Sequence, residues 1–374
     1  MNDQLKYQRI FKELSDEIAA GKYRESGRLP SESQLVKKYK VSRPTVMRAL
    51  RDLQALGVIE RKAGAGSFLV DAPTTSFKMR GHHQLALLIP RAGLTEIFEV
   101  ICGELAGLAK AYDCSLIWGS GGITHVNAQH DISVKEIEHI CEEFIERSVS
   151  GVFFAPFELK AGAEDTSQRI AQRLRQAGVA VVLLDRDFHS YPLRSDFDLV
   201  GIDNYAAGFL LAQHLLKLGQ TRLAYLAHRF SAPTIAARIA GAKGALEAAG
   251  ITVPKDFAHY GNPEDISFVR NLVAGRTLDG IICGNDFTAA QLLNSLAKIK
   301  VRVPEDLRVV GCDDLRYAQI MREPLTTVSQ PCRDIAITAM KAMLERIADP
   351  TTPARSLLLN PKLSIRNSCG AYLH

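Results

Sequence analysis

From residue 84 onward, short apolar runs alternate with amphipathic segments of helical period, and this alternation constrains the fold more than any other feature of the chain. The apolar runs fall at 85–90, 115–118, 151–156, 180–185, 199–202, 222–226, 280–284 and 308–311. Helical patterns separate them at 100–112, 136–147, 168–178, 206–218, 238–250 and 289–298. Strands joined through helices return to one sheet as parallel neighbours, covered on both faces, and bind ligands beyond their carboxyl ends. About 290 residues is too much for one compact core, so two α/β lobes are expected.

The first seventy residues follow another rule. They hold 14 Lys/Arg and 8 Asp/Glu, a net of +6, whereas residues 71–374 hold 32 and 33, a net of −1. A small basic module on a neutral body points to a polyanion-binding head or to a solvated basic surface. Tyr7, Ile10, Phe11, Leu14 and Ile18 recur at helical spacing and Gly21 follows as a stop. Ser31-x-x-Gln34 is a capping box that opens a second helix through Lys38. Ser42 then caps a third helix, with Pro44 in its first turn and Val46, Ala49, Leu50 and Leu53 as its buried stripe. Gly57 ends that helix. Val58–Arg61 and Ser67–Val70 read as a hairpin around Ala63-Gly64-Ala65-Gly66. Helix, short helix, turn, helix and β-wing make a winged helix-turn-helix, whose third helix enters the major groove by its N-terminal side chains. Arg43, Thr45 and Arg48 stand in that portion, where guanidinium groups read guanine or grip phosphate.

The string Gly27-Arg28-Leu29-Pro30-Ser31-Glu32, followed by Val41-Ser42-Arg43-x-Thr45-Val46, Ala49-Leu50, Leu53, Gly57-Val58-Ile59 and Gly64-x-Gly66, resembles the GntR-family DNA-binding domain over residues 5–70. The resemblance implies DNA contacts from Arg43 and Thr45, with Ser42 beside them, and a wing entering the minor groove through Gly64 and Gly66. Two positions depart from the family pattern, Met47 and Ala65, which stand where arginines are common, and Ser33 stands where some members place an arginine. Base preference or affinity is therefore expected to differ, with Arg48 or Arg51 compensating.

Residues 71–83, rich in Pro, Gly, Ser and Thr without a period, read as a linker. His82-His83 lacks a nearby third ligand, and the seven cysteines (Cys102, Cys114, Cys141, Cys283, Cys312, Cys332, Cys369) never take C-x-x-C spacing. Neither a metal nor a cofactor is expected, and the thiols read as reduced and mostly buried. No phosphate loop, H-E-x-x-H or G-x-S-x-G string occurs, which argues against an enzyme. There is no run of eighteen apolar residues, and Met1–Lys6 is polar rather than signal-like, so no membrane association and a cytoplasmic location are expected.

The body shows a further series: Val181–Arg186, Val200-Gly201-Ile202-Asp203-Asn204, Arg238-x-x-Gly241, Asp279–Asp286, Val303-Pro304-Glu305-Asp306, Val309–Asp314 and Pro324–Pro331. It resembles the sensor domain of the LacI/GalR family, itself similar to periplasmic sugar-binding proteins, over residues 84–374. The combination with a GntR head is similar to the arabinose-responsive repressors. The resemblance implies a two-lobed periplasmic-binding-protein-like fold of doubly wound parallel sheets, with crossovers near 203, 313 and 350. Lobe 1 would then comprise about 84–202 and 313–350, and lobe 2 about 203–312 and 351–374. It also implies a sugar in the cleft, contacted by Asp286 and Arg238. The alternatives are a helix N-cap for Asp286 and a surface salt bridge for Arg238. Asp185, Arg186 and Gln330 are candidates beside the cleft, and Phe98 a candidate wall or core residue. Asp203, Asp313 and Asp314 read as crossover and turn residues.

The expectation is thus an operator-binding regulator that is not an enzyme, a homodimeric repressor released by a sugar or sugar-derived inducer. The sign of regulation rests on the resemblance. The alternative is a sugar-binding protein or enzyme-like body with an accessory basic domain.

Overall fold

A computed structural model describes residues 3–19, 21–23, 26–55, 59–62, 66–69, 82–89, 97–118, 134–158, 162–274 and 278–372. The chain divides into two compact units, Met1–His82 with Gly107–Cys114, and His83–Ala106 with Ser115–His374.

The head begins with α1 (Asp3–Ala19), which buries Tyr7, Ile10, Phe11 and Leu14 on one face. Gly21 then takes φ +78°, a left-handed conformation suited to glycine. α2 (Glu32–Tyr39) opens on the capping box: Ser31 Oγ accepts from Gln34 N, and the Gln34 side chain accepts from Ser31 N at 2.8 Å. α3 (Arg43–Ala55) packs Val46, Ala49, Leu50 and Leu53 into the same core. β1 (Ile59–Lys62) and β2 (Gly66–Leu69) pair antiparallel, with Lys62 opposite Gly66. Residues 27–29 extend this wing, Leu29 N donating to Ser67 O and Leu69 N to Gly27 O. Gly57, Gly64, Ala65 and linker residues 71–81 lie outside the described residues.

The body begins with β3 (His83–Leu88), α4 (Ile97–Ala111), β4 (Cys114–Trp118), α5 (Val134–Glu146), β5 (Gly151–Phe154), α6 (Ala163–Gln176), β6 (Ala180–Leu184) and β7 (Asp198–Ile202). It continues with α7 (Asn204–Lys217), β8 (Leu223–Ala227), α8 (Thr234–Ala248), β9 (Ala258–Tyr260), α9 (Ile266–Val273), β10 (Gly280–Cys283), α10 (Asp286–Lys298) and β11 (Arg308–Asp313). β12 (Thr326–Ser329), α11 (Cys332–Ala348), β13 (Ser356–Leu359) and β14 (Lys362–Ser364) complete it. Among the described residues two six-stranded sheets result, ordered β13-β7-β6-β5-β3-β4 and β14-β12-β11-β10-β8-β9. The central pairs of both are parallel, and β14 closes the second as an antiparallel edge. Strands covered on both faces read as continuous apolar runs, as Gly151–Phe154 does, every residue of it buried.

The chain passes between the sheets at 203, again at 330–331 between β12 and α11, and again at 360–361 between β13 and β14. The lobe boundaries expected at 313 and 350 are corrected accordingly. After β11 the chain turns through positive φ at Asp313 (125°) and Asp314 (57°), and a short helix at Arg316–Gln319 returns it to the same sheet as β12. α11 then covers β5, β6 and β7 of the first sheet. β12 and β14 are short and partly polar, and neither shows an apolar run of its own.

In the second lobe α7 and α8 meet at backbone distance. A Cβ on Gly208 would lie 1.8 Å from Arg238 O, and one on Gly241 would lie 1.9 Å from Tyr205 O. Only glycine permits this approach, and it fixes where Arg238 starts its path toward the cleft.

Candidate functional site

In the head, Arg43 stands exposed at the start of α3, its Nε donating to Glu32 Oε2 at 2.9 Å. Glu32 also receives Arg61 of the wing at 2.5 Å, so one carboxylate orients a helix arginine and a wing arginine together. Ser42 is exposed, and its hydroxyl lies 2.7 Å from that of Thr45. Thr45 is 7% exposed, its hydroxyl paired with that of Ser42 in the turn before α3. Arg48 lays its guanidinium over the Tyr7 ring of α1, 4.5 Å from the centroid. At about 100° per residue Met47 lies about 40° from Arg43 and Arg51 about 80° from it, while Arg48 lies about 60° beyond Arg51, and both arginines are exposed. Gly66, at φ +116°, lies against the Arg28 guanidinium, and that side chain also covers Phe68.

In the body, a cavity of about 110 Å³ opens between the carboxyl ends of the two sheets. A single water needs roughly 10–15 Å³ on this measure, so the space suits a small organic molecule. The first lobe contributes Asp185 and Arg186 from the end of β6, and Glu158 from the loop after β5. Asp185 adopts φ +67°, turning its carboxylate out of the strand line. Its Oδ1 is buried without a hydrogen-bond partner, and burial raises its pKa against the pull of Arg186 and Arg238. Arg186 is 3% exposed; its Nε donates to Pro156 O at 2.8 Å and Nη1 to Glu158 Oε1 at 2.9 Å. The guanidinium rests on the Phe98 ring at 5.3 Å.

From the second lobe, Arg238 rises out of the α7–α8 contact. Its Nε donates to Asn204 Oδ1 at 2.8 Å and Nη1 to Gly284 O at 2.7 Å, with Asp313 Oδ1 at 4.0 Å. Asp313 also accepts from Gln330 Nε2 at 2.8 Å. Burial lifts the Asp313 carboxyl to about 6, opposed by Arg238. His228 and Phe287 stack 6.4 Å apart as an aromatic wall, and Gln291 Oε1 lies 2.8 Å from His228 Nε2. Asn285 caps α10, its Oδ1 accepting from Thr288 N and Oγ1, and it borders the cavity.

Arg238, Asp185 and Arg186 thus come together at the cavity. Two expectations, for Asp286 and Gln330, are corrected, and of the two readings of Phe98 the core one holds. Asp286 is fully buried and turned inward, Oδ1 accepting from Thr327 Oγ1 at 2.6 Å and Oδ2 from Leu315 N at 2.9 Å; it does not line the cavity. Burial and the Asp313 charge hold its carboxyl well above the ordinary value. Phe98 is a core residue beneath Arg186, and its neighbour Ile97 faces the cavity instead. Gln330 touches Asp313 from behind and is not a lining residue. Conversely Asp313, read as a turn residue, lines the cavity, as do Glu158, His228, Asn285 and Phe287. The spacing of Phe287 and Gln291 on one face of α10 was a usable signal for the wall. Glu158, in a loop without a pattern, had none.

A winged helix-turn-helix joined to a two-lobed, cleft-bearing α/β body defines a DNA-binding regulator with a sensor domain. Residues 6–69 match the model for bacterial regulatory proteins of the gntR family, and residues 212–369 match a periplasmic binding protein-like domain. The chain combines a GntR-type head with a periplasmic-binding-protein-like body. The arabinose metabolism transcriptional repressor of Halalkalibacterium halodurans is 25% identical to it, over 97% of this chain and 96% of that protein. The ribose operon repressor of Escherichia coli K12 is 25% identical over 81% and 87%. The crystal structure of the transcription regulator CcpA of Lactococcus lactis shares the fold, with a TM-score of 0.64 at 21% identity over 77% of this chain and 99% of that one. No helix among the described residues is long and apolar enough to cross a membrane.

Proposed function

We propose that this protein is a cytoplasmic, homodimeric repressor, not an enzyme, whose grip on operator DNA is released when a sugar or sugar-derived effector enters the cleft. The observation that carries this reading is the buried cluster of Asp185, Arg186, Arg238 and Asp313, drawn from both lobes to one cavity in a chain that also holds a DNA-binding head. Polyols match such a site: their hydroxyls pair with carboxylates, amides and guanidinium groups, and their C–H faces lie on a wall such as His228–Phe287. The ribose and arabinose repressors among the relatives favour a sugar.

The head (1–70) and the sensor (84–374) are coupled through the linker at 71–83. Arg43 and Ser42 meet DNA at the start of α3, and Gly64 and Gly66 bring the wing close to it. One winged helix reads few base pairs, so two heads on a two-fold related site supply the specificity. An effector that weakens operator binding a hundredfold must favour the released state by about 2.7 kcal/mol. Fluorescence anisotropy with the DNA upstream of the gene, repeated with pentoses and hexoses, tests the reading. Sugar-dependent release is expected. Binding unaffected by every sugar, or absent altogether, would overturn it.

A further inference from the structure

We propose that the cleft selects an uncharged polyol and rejects anionic derivatives of the same sugar, with Glu158 setting that preference. The inference rests on the sugar reading above and narrows it to one chemical class. Sugar phosphates and sugar acids are held by arginines and by helix N-termini, where unpaired N–H groups face the anion. At this cleft Glu158 already takes an arginine and a backbone N–H two residues ahead of α8, and Asn285 already caps the first turn of α10. Glu158 Oε1 accepts from Arg186 Nη1 at 2.9 Å, and Glu158 Oε2 accepts from Ala232 N, just ahead of α8, at 3.0 Å. One carboxylate therefore neutralises the first-lobe arginine and fills the approach to a second-lobe helix.

The second guanidinium among the described lining residues is no freer. Arg238 is committed to Asn204, to Gly284 O and to the nearby Asp313 carboxylate. Among the described residues that line the cavity, Glu158, Asp185 and Asp313 stand against Arg186 and Arg238, one acid more than the bases. An incoming phosphate or carboxylate would meet Glu158 at close range in a desolvated site, where like charges repel strongly. The unmet demand is for donors. Asp185 Oδ1, on a cavity-lining residue 4% exposed, is buried without a partner. Hydroxyl groups satisfy such acceptors without adding charge.

Glu158 also spans the cleft, because β5 belongs to the first sheet and α8 packs with α7 on the second. Its hydrogen bond to Ala232 N holds the lobes at a fixed approach beside the cavity. A neutral sugar can enter without breaking this link, whereas an anion must displace it.

Calorimetric titration of the full-length protein tests the inference with matched pairs: D-ribose and D-ribose 5-phosphate, L-arabinose and L-arabinonate, D-glucose and D-glucose 6-phosphate. At least one neutral sugar is expected to bind, its anionic partner at least 100-fold more weakly. Glu158→Gln keeps an acceptor for Ala232 N and removes the charge, and it should narrow that ratio to less than tenfold. Thermal melting without ligand verifies that the variant is folded, and the wild-type ratio needs no variant at all. An anionic member that binds as tightly as its neutral parent, or better, overturns the inference while leaving the sugar reading intact. An unchanged ratio in folded Glu158→Gln removes Glu158 from the role. Binding by neither series overturns the sugar reading and this inference with it.

Discussion

Replacing Gly208 by Ala sets two opposed effects against each other at one methyl group. Within a helix, Ala is favoured over Gly by about 1 kcal/mol, because glycine loses more backbone freedom on folding. At Gly208 of α7, however, the new Cβ would stand 1.8 Å from the carbonyl oxygen of Arg238 on α8. That obstacle is backbone in a neighbouring helix and cannot rotate aside, so α8 must move by more than an ångström to reach ordinary contact. Overpacking of this kind costs about 1–3 kcal/mol, and a backbone obstacle belongs at the upper end. The net expectation is destabilisation by about 2 kcal/mol. The displacement also pulls Arg238 from Asn204 and Gly284 O, so the effector response should weaken as well. Gly103 of α4 is the control: a Cβ there meets nothing within 4 Å, and Gly103→Ala should stabilise by about 0.5–1 kcal/mol from propensity alone. Scanning calorimetry of both variants, with anisotropy for effector release, measures the contrast. If Gly208→Ala melts higher than wild type, as Gly103→Ala should, close helix contact is not what holds Arg238.

Arg43→Ala should weaken operator binding by about 1–3 kcal/mol while sugar affinity stays at the wild-type value; equal DNA affinity would remove Arg43 from the interface. Asp286→Ala leaves Leu315 N and Thr327 Oγ1 without their acceptor, so chemical denaturation should show a loss of about 2–4 kcal/mol. Full stability with lost sugar binding would instead mark Asp286 as a ligand contact. Arg238→Ala strips the buried Asp313 of its nearest cation and should cost about 3–5 kcal/mol as well as abolish release by the effector; unaltered melting and release refute its placement. The Asp313 carboxyl, raised from 3.8 to about 6, keeps its proton longer in the folded chain than in the unfolded one. Its contribution to stability therefore falls as pH rises from about 4 to about 6, by up to about 3 kcal/mol. Urea titrations of wild type and Asp313→Asn should diverge across that window, and parallel curves would contradict the assignment.

Where local chemistry decides the outcome, the sequence alone was sufficient. The capping box at Ser31–Gln34, the buried stripe of α3 and the β-α alternation of the body depend on spacing along the chain, because helix and strand periods are properties of a few consecutive residues. For the same reason Asp185 and Arg186 could be placed near the cleft, at the end of a strand that points there, whereas Arg238, the fifth residue of α8, was placed there by the resemblance. What only the tertiary structure decided is which way a side chain turns at such an end, and which distant group meets it. Ile97 and Phe98 are consecutive in α4, yet one faces the cavity and the other lies beneath Arg186, a difference of one step around a helix. Asp286 turns inward because β11 and β12, with the chain between them, bring Leu315 N and Thr327 to it. Asn285 and Asp313 take the cavity positions instead. Glu158 acquires its place only when Arg186, 28 residues away, and Ala232, 74 residues away, are folded around it. Periodicity is written over a few residues, whereas the pairing of buried charges depends on where the chain crosses between two sheets, and no local pattern encodes those crossings.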